Sequence, residues 1–122
     1  MVSGGLDMSE NVMGENMIVE YVVVFCTAAP NEADRIAGTL VEERLAACVN
    51  LAAVRSCYRW EGKVAKDEEV LMIIKTEQRM VKPLMTRLPQ LHSYKVPEII
   101  VLPVAEGYGP YLDWISESIA KN

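Results

Sequence analysis

The sequence predicts an α+β fold, a ferredoxin-like βαββαβ antiparallel sheet followed by a C-terminal helix. Three observations carry this. Strand-like segments rich in Val, Ile and Tyr alternate with helix-periodic segments in the order strand, helix, strand, strand, helix, strand, helix, which is the split βαβ pattern. Two long β-rich segments flank Glu61-Gly62-Lys63, a hairpin turn in which Gly62 can take φ > 0. The first strand is almost continuously apolar, as in a strand covered on both faces, although the two main helices of this fold cover only one.

The elements follow in order. Met17–Thr27, MIVEYVVVFCT, reads as the first, central strand, and Ala28-Ala29-Pro30-Asn31 breaks it. Asn31 is the expected N-cap of helix one, with Glu32 and Asp34 in its first turn. Ala33, Ile36, Ala37, Leu40, Val41 and Leu45 form one apolar stripe on that helix. Gly38 inside it costs about 1 kcal/mol relative to Ala, and close packing against a strand is the expected reason for it. Ala47–Trp60 and Val64–Thr76 are the hairpin strands, and they extend past what one small core can cover, which predicts association. Helix two runs from about Met80 to Leu91 with Val81, Leu84, Met85, Leu88 and Leu91 inward; Pro83 sits near its start and Pro89 thins or kinks its last turn. Ile99–Val104 reads as a short buried strand whose end is unpaired or bulged at Pro103. After Gly107, Gly109 and Pro110, Tyr111–Ala120 closes the chain as a helix with Leu112, Ile115 and Ile119 inward. The expected spatial order of the four strands is 4-1-3-2.

A chain of 122 residues is one domain. Residues 1–16 are polar, small and unpatterned, so the reading is a flexible N-terminal tail followed by a folded domain over 17–122. The tail has no basic segment ahead of an apolar one, as a secretory signal would. Net charge is −5 and no Lys/Arg stripe occurs, which argues against nucleic acid and anionic membranes as partners. No apolar run approaches the roughly 20 residues of a membrane span. The cysteines are Cys26, Cys48 and Cys57; an odd number without CxxC indicates neither a disulfide framework nor a zinc knuckle, and fits a cytoplasmic protein. No cysteine-protease signature surrounds Cys26 and no phosphate-binding glycine loop is present, so an enzyme is not expected.

The topology gathers the end of strand one, the flank of strand three, the end of helix two and the start of strand four at one end of the sheet. In residues these are Cys26, Asp67 to Glu69, the single histidine His92, and Glu98. A thiolate favoured by the helix-one dipole, an imidazole and carboxylates suit borderline-to-soft ions such as copper and zinc. Each residue also has a plainer role: Cys26 as a small buried hydrophobe, His92 as a loop residue bonded to backbone, Asp67-Glu68-Glu69 as a solvated flank, Glu98 as a local cap.

Arg44–Asn50 (RLAACVN), Tyr58–Lys63 (YRWEGK), Leu71–Thr76 (LMIIKT), His92–Ile99 (HSYKVPEI) and Tyr111–Trp114 (YLDW) occur in an order that closely resembles the CutA family, the divalent-cation tolerance proteins, over about residues 17–120. The resemblance implies a tight homotrimer joined by inter-subunit sheet contacts, a role in tolerance of copper and other divalent metals, and metal binding without an established reaction. It implies copper ligation by a cysteine at the end of strand one, which Cys26 matches, and by a histidine pair, of which His92 matches the second and Leu91 stands at the first. Glu69 or Glu98 is the expected completion of the site. A second reading is that of PII-type signalling trimers, which use the same architecture to bind small ligands between subunits; Tyr58, Trp60, Lys75, Tyr94, Trp114, Gly107 and Gly109 would line that cleft, or the aromatics pack the trimer. A third is a stable scaffold that anchors an unidentified protein partner.

Overall fold

A computed structural model of the protein describes residues 11–13 and 17–121. The elements are β1 (Asn11–Met13), β2 (Met17–Val19), β3 (Tyr21–Ala28), α1 (Ala33–Glu42), β4 (Cys48–Trp60), β5 (Lys63–Glu77), a 3-10 turn (Gln78–Met80), α2 (Val81–Leu91), β6 (Ile100–Pro103) and α3 (Gly109–Ser118). The main sheet is antiparallel in the order β4-β5-β3-β6, which is the expected 4-1-3-2 order of the four principal strands. The expected first strand divides at Glu20. Met17–Val19 turns back to pair with Asn11–Met13 in a separate two-stranded sheet, and only Tyr21–Ala28 enters the main one. Of the expected tail, residues 1–10 and 14–16 lie outside the described residues.

Register fixes which side chains meet. Val22, Val24, Cys26 and Ala28 of β3 stand opposite Thr76, Ile74, Met72 and Val70 of β5. Alternate residues of a strand point to opposite faces, so these share the face covered by α1 and α2. Ala33, Ile36, Ala37 and Leu40 of α1 and Leu84 and Leu88 of α2 bury against them in one core. Each large aliphatic side chain fully buried there stabilises the fold by about 1.5–3 kcal/mol.

Among the described residues, the opposite face is covered only at one end. There α3 sets Leu112 and Ile115, with Ile119 just beyond, against Tyr21, Ala47 and Met80. Ser116 Oγ donates to Glu77 Oε2 at 2.5 Å and shares a 2.6 Å hydrogen bond with the Tyr21 hydroxyl, while Arg79 Nε donates to Glu77 Oε1 at 2.6 Å. These bonds satisfy the buried Glu77 carboxylate, which would otherwise cost heavily. Further along that face Val23, Phe25, Leu71 and Ile73 are only half-buried, and Leu102 and Ile100 are exposed, Ile100 by 52%.

Several local expectations are corrected. Strand β6 is not buried: it lies at the sheet edge, and among the described residues no layer covers its outer face. Pro103 is paired in register with Val22 and ends the strand, so there is no bulge. Asn31 does not cap α1; Glu32 holds that position without a side-chain cap bond, because its carboxylate is used elsewhere. Gly38 faces open space, so close packing does not explain it. Helix α1 ends sooner than the apolar stripe suggests, and Val41 is exposed. Its end is a Schellman motif, with Arg44 N–H on Val41 O and Leu45 N–H on Leu40 O, and Arg44 takes the left-handed position at φ 60°. At the hairpin, Glu61 and Gly62 have φ of 50° and 79°, the two left-handed residues of a type I′ turn.

Candidate functional site

Cys26 and His92 meet at one carbonyl. Cys26 lies on the helix-covered face of β3, fully buried opposite Met72. The chain leaves α2 at His92, whose extended backbone directs the next residues around the end of the sheet. Its Nε2 is 2.7 Å from the Thr27 carbonyl oxygen, which also accepts a weak 3.8 Å contact from the Cys26 thiol. The Tyr94 N–H donates to Nδ1 at 3.1 Å. One ring nitrogen accepts and the other therefore carries the proton and donates, so both are engaged with backbone.

Carboxylates hold the residues that follow. Glu32, at the start of α1, accepts from Ser93 Oγ at 2.6 Å and from Ser93 N–H at 3.2 Å. Arg35 bridges Glu32 Oε1 at 3.3 Å and the Leu91 carbonyl at 3.0 Å. Glu32 also lies 3.8 Å from His92 Nδ1, but the lone pair there is already taken by Tyr94 N–H. Burial pushes the Glu32 carboxyl upward; the Ser93 hydrogen bonds and nearby positive charge outweigh it and hold the group below the ordinary carboxylate range. On the other side of the sheet the Tyr94 hydroxyl donates to the buried Glu69 at 2.7 Å, and burial, then Glu69, pushes the phenol well above its usual value. Tyr58 similarly donates to Asp67, which raises the Tyr58 phenol.

Cys26 is not an activated thiolate. Burial first, then the charges of Glu98 and Glu32, push its thiol up to about 12. The thiolate expected from the helix dipole is therefore not found. Glu69 does not join Cys26, contrary to expectation. Cys26 pairs with Met72, and Glu69, three residues from it, falls on the opposite face of β5 and is committed to Tyr94. Glu98 is exposed and acts on Cys26 through its charge. Among the described residues no group of three or more His, Cys, Asp and Glu side chains could hold a metal ion. As it stands, the thiol is protonated and both imidazole nitrogens are engaged with backbone, so an ion can bind here only once the thiol loses its proton and His92 gives up one of these bonds.

Glu32, Ser93 and the Thr27 carbonyl were missed by sequence reasoning. Glu32 reads there as a first-turn acid satisfying a helix dipole, and nothing local points to a partner 61 residues away in Ser93.

The residues of the alternative cleft divide into two groups. Lys75 Nζ lies 5.7 Å from the centre of the Tyr111 ring, and Tyr111 stacks on Trp114 at 5.5 Å, all beside α3. Tyr58 stands opposite Ala65 on the hairpin, ten residues up β5 from Lys75, or about 33 Å at the usual strand rise. Trp60, at the tip, is 62% exposed. One copy of the chain therefore cannot close this cleft. Gly107 has a packing role: a Cβ there would come within 2.9 Å of Leu112 Cδ2.

No helix among the described residues is long and apolar enough to cross a membrane. Residues 21–118 match the family described as CutA1 divalent ion tolerance protein. The chain is 46% identical over 101 residues to the divalent-cation tolerance protein CutA of Thermus thermophilus, an alignment covering 82% of this chain and 98% of that one. The crystal structure of CutA1 from Oryza sativa superposes with a TM-score of 0.82 at 40% identity, over 85% of this chain and 97% of the other. A structure of a PII-like protein CutA from Nostoc sp. PCC 7120, in apo form, superposes with a TM-score of 0.76 at 34% identity, over 80% and 96% of the two chains.

Proposed function

The chain belongs to the CutA1 divalent ion tolerance family, and from that premise we propose that it is a homotrimeric, cytoplasmic protein of divalent-metal tolerance that binds copper, or zinc, through Cys26 and His92 and catalyses no reaction. The observation that carries this reading is the convergence of a thiol and an imidazole, from segments 66 residues apart, on the single carbonyl of Thr27. Thiol and imidazole are the donors that borderline-to-soft ions prefer. Glu98 and Glu32 add negative charge, which disfavours an unpaired thiolate and favours a cation.

Trimer formation is supported by the half-covered sheet face and by the arm of β4 and β5, whose apolar residues lack cover within one chain. The cysteines that are unpaired, Cys26, Cys48 and Cys57, support a reducing compartment. Anaerobic titration of Cu(I) into wild type, Cys26→Ala and His92→Ala tests the site. At least tenfold weaker binding in each variant is expected, and equal affinity in all three sinks it.

A second reading is favoured by the Lys75–Tyr111–Trp114 stack, a cation beside exposed aromatic faces. In a trimer the arm of a neighbouring copy could complete a cleft for a small ligand around it. A rise in melting temperature with millimolar nucleotide, lost in Trp114→Ala, would select this reading over the metal one.

A further inference from the structure

We propose that the sheet face beside α3 holds a small planar carboxylate, its anionic group on Lys75 and its ring against Tyr111 and Trp114, which rests on the small-ligand reading of this cleft and gives that ligand a chemical class.

Lys75 is unlike the other lysines of the chain. Lys63, Lys66, Lys82, Lys95 and Lys121 are exposed, and Lys75 alone is half-buried. Register sets its place, between Cys48 of β4 and Val23 of β3, on the face that α3 partly covers. Among the described residues its ammonium has neither an ion pair nor a hydrogen bond. The next carboxylate along the strand on that face, Glu77, already accepts from Ser116 and Arg79. The contact that Lys75 Nζ does make is with the Tyr111 ring, at 5.7 Å from its centre. An aromatic face attracts a cation without neutralising it. Partial burial meanwhile removes some of the water that would solvate the charge. An anion is the group this position lacks.

The aromatics supply the rest of the site. Tyr111 and Trp114, one turn apart on α3, stack with planes inclined by 30°. Leu112 and Ile115 take the core positions of that helix, so the two rings remain 40% and 43% exposed beside Lys75. The neighbouring sheet surface is apolar, with Val23, Phe25 and Ile73 half-buried. A flat ring matches the stacked pair and this floor, and a single negative charge matches a single ammonium. A polyanion does not match: Arg79 is committed to Glu77, and the chain carries a net charge of −5. The proposed ligand is thereby distinct from a nucleoside triphosphate.

The probes are benzoate, its neutral counterpart benzamide, the non-planar anion cyclohexanecarboxylate, and ATP. Each is titrated into the native full-length protein near neutral pH and followed by saturation-transfer difference NMR. Benzoate is expected to bind about tenfold more tightly than benzamide, the effect of one charge-assisted hydrogen bond, and more tightly than cyclohexanecarboxylate. Lys75→Gln is expected to remove the preference for the anion, Lys75→Arg to keep it, and Trp114→Ala to remove the preference for the planar ring. Equal binding of benzoate and benzamide, or a preference that survives in Lys75→Gln, overturns the proposal. So does a fall in oligomeric mass of Lys75→Gln in sedimentation equilibrium, which would show that a neighbouring copy supplies the anion. The two readings fail separately. ATP binding that is lost in Trp114→Ala, without any benzoate preference, removes the planar carboxylate and leaves the cleft, whereas no binding of any probe removes both.

Discussion

Strands β4 and β5 are one continuous hairpin with two different surroundings. From Cys48 opposite Lys75 to Trp60 opposite Lys63 the pairing is unbroken. At its base Met72, Ile74 and Thr76 are fully buried beneath the helices. Towards its tip Arg55, Cys57 and Arg59 are exposed, as are Trp60 and Val64, the latter by 64%. The backbone ladder is the same in both halves, so hydrogen bonding does not distinguish them. What differs is cover. A two-stranded ribbon without a layer on either face is marginal in water, so an arm of this length is built for contact with another surface.

The largest test of this contrast compares single truncations. Leu40→Ala or Leu84→Ala in the core is expected to cost about 2–5 kcal/mol in urea denaturation. Val64→Ala near the tip should cost less than about 0.5 kcal/mol if the arm is free in solution. A larger cost that grows with protein concentration would mean that another copy covers the arm.

The next test addresses the uncovered sheet face. Ile100→Asp and Leu102→Asp place a charge where an apolar neighbour is expected, and sedimentation equilibrium should fall from a trimer to a monomer. An unchanged mass would assign this face to solvent.

Acid probes the covered end, where Glu32 carries its lowered pKa. A carboxyl depressed on folding contributes stability that is fully present above its unfolded pKa and is lost as pH falls through the folded value. Stability should therefore decline as pH drops below the ordinary 4.5, and Glu32→Gln should flatten that decline while lowering stability near neutrality. A Gln variant with the wild-type acid profile would show that Ser93 does not stabilise the charged form.

The smallest effects come from two left-handed residues among the described ones that are not glycine, Arg44 at the base and Glu61 at the tip. Arg44→Gly and Glu61→Asn should each relieve up to about 1 kcal/mol of backbone strain. If the tip is uncoupled from the core, only Arg44→Gly raises the melting temperature. An equal rise from Glu61→Asn would show that the arm unfolds together with the domain.

Much of the fold was legible because hydrophobic period is a local property. Leu40 and Leu84 announce their helix faces, and Gly62 announces its turn, without reference to distant residues. The meeting of Cys26 with His92 was legible as well, since strand order determines which chain ends are neighbours. Three features were not. The placing of Glu69 depended on register: a shift of one residue would have put it on the same face as Cys26. The exposure of β6 depended on what lies above the sheet; Ile99–Val104 looks buried because it is apolar, yet Ile100 has no layer over it. The role of Glu32 depended on where Ser93 arrives, and a carboxylate near a helix start already has an ordinary explanation.

The sequence by itself determined the elements, their order and the residues able to carry soft-ligand chemistry, because periodicity, turn chemistry and side-chain type act within a few residues. Tertiary structure alone decided the state of those residues. Whether Cys26 is thiol or thiolate, whether His92 has a free lone pair, and which carboxylate stands near them all depend on burial and on charges brought from other elements. Desolvation and hydrogen bonding act over a few ångströms of space, and sequence separation carries no information about such distances.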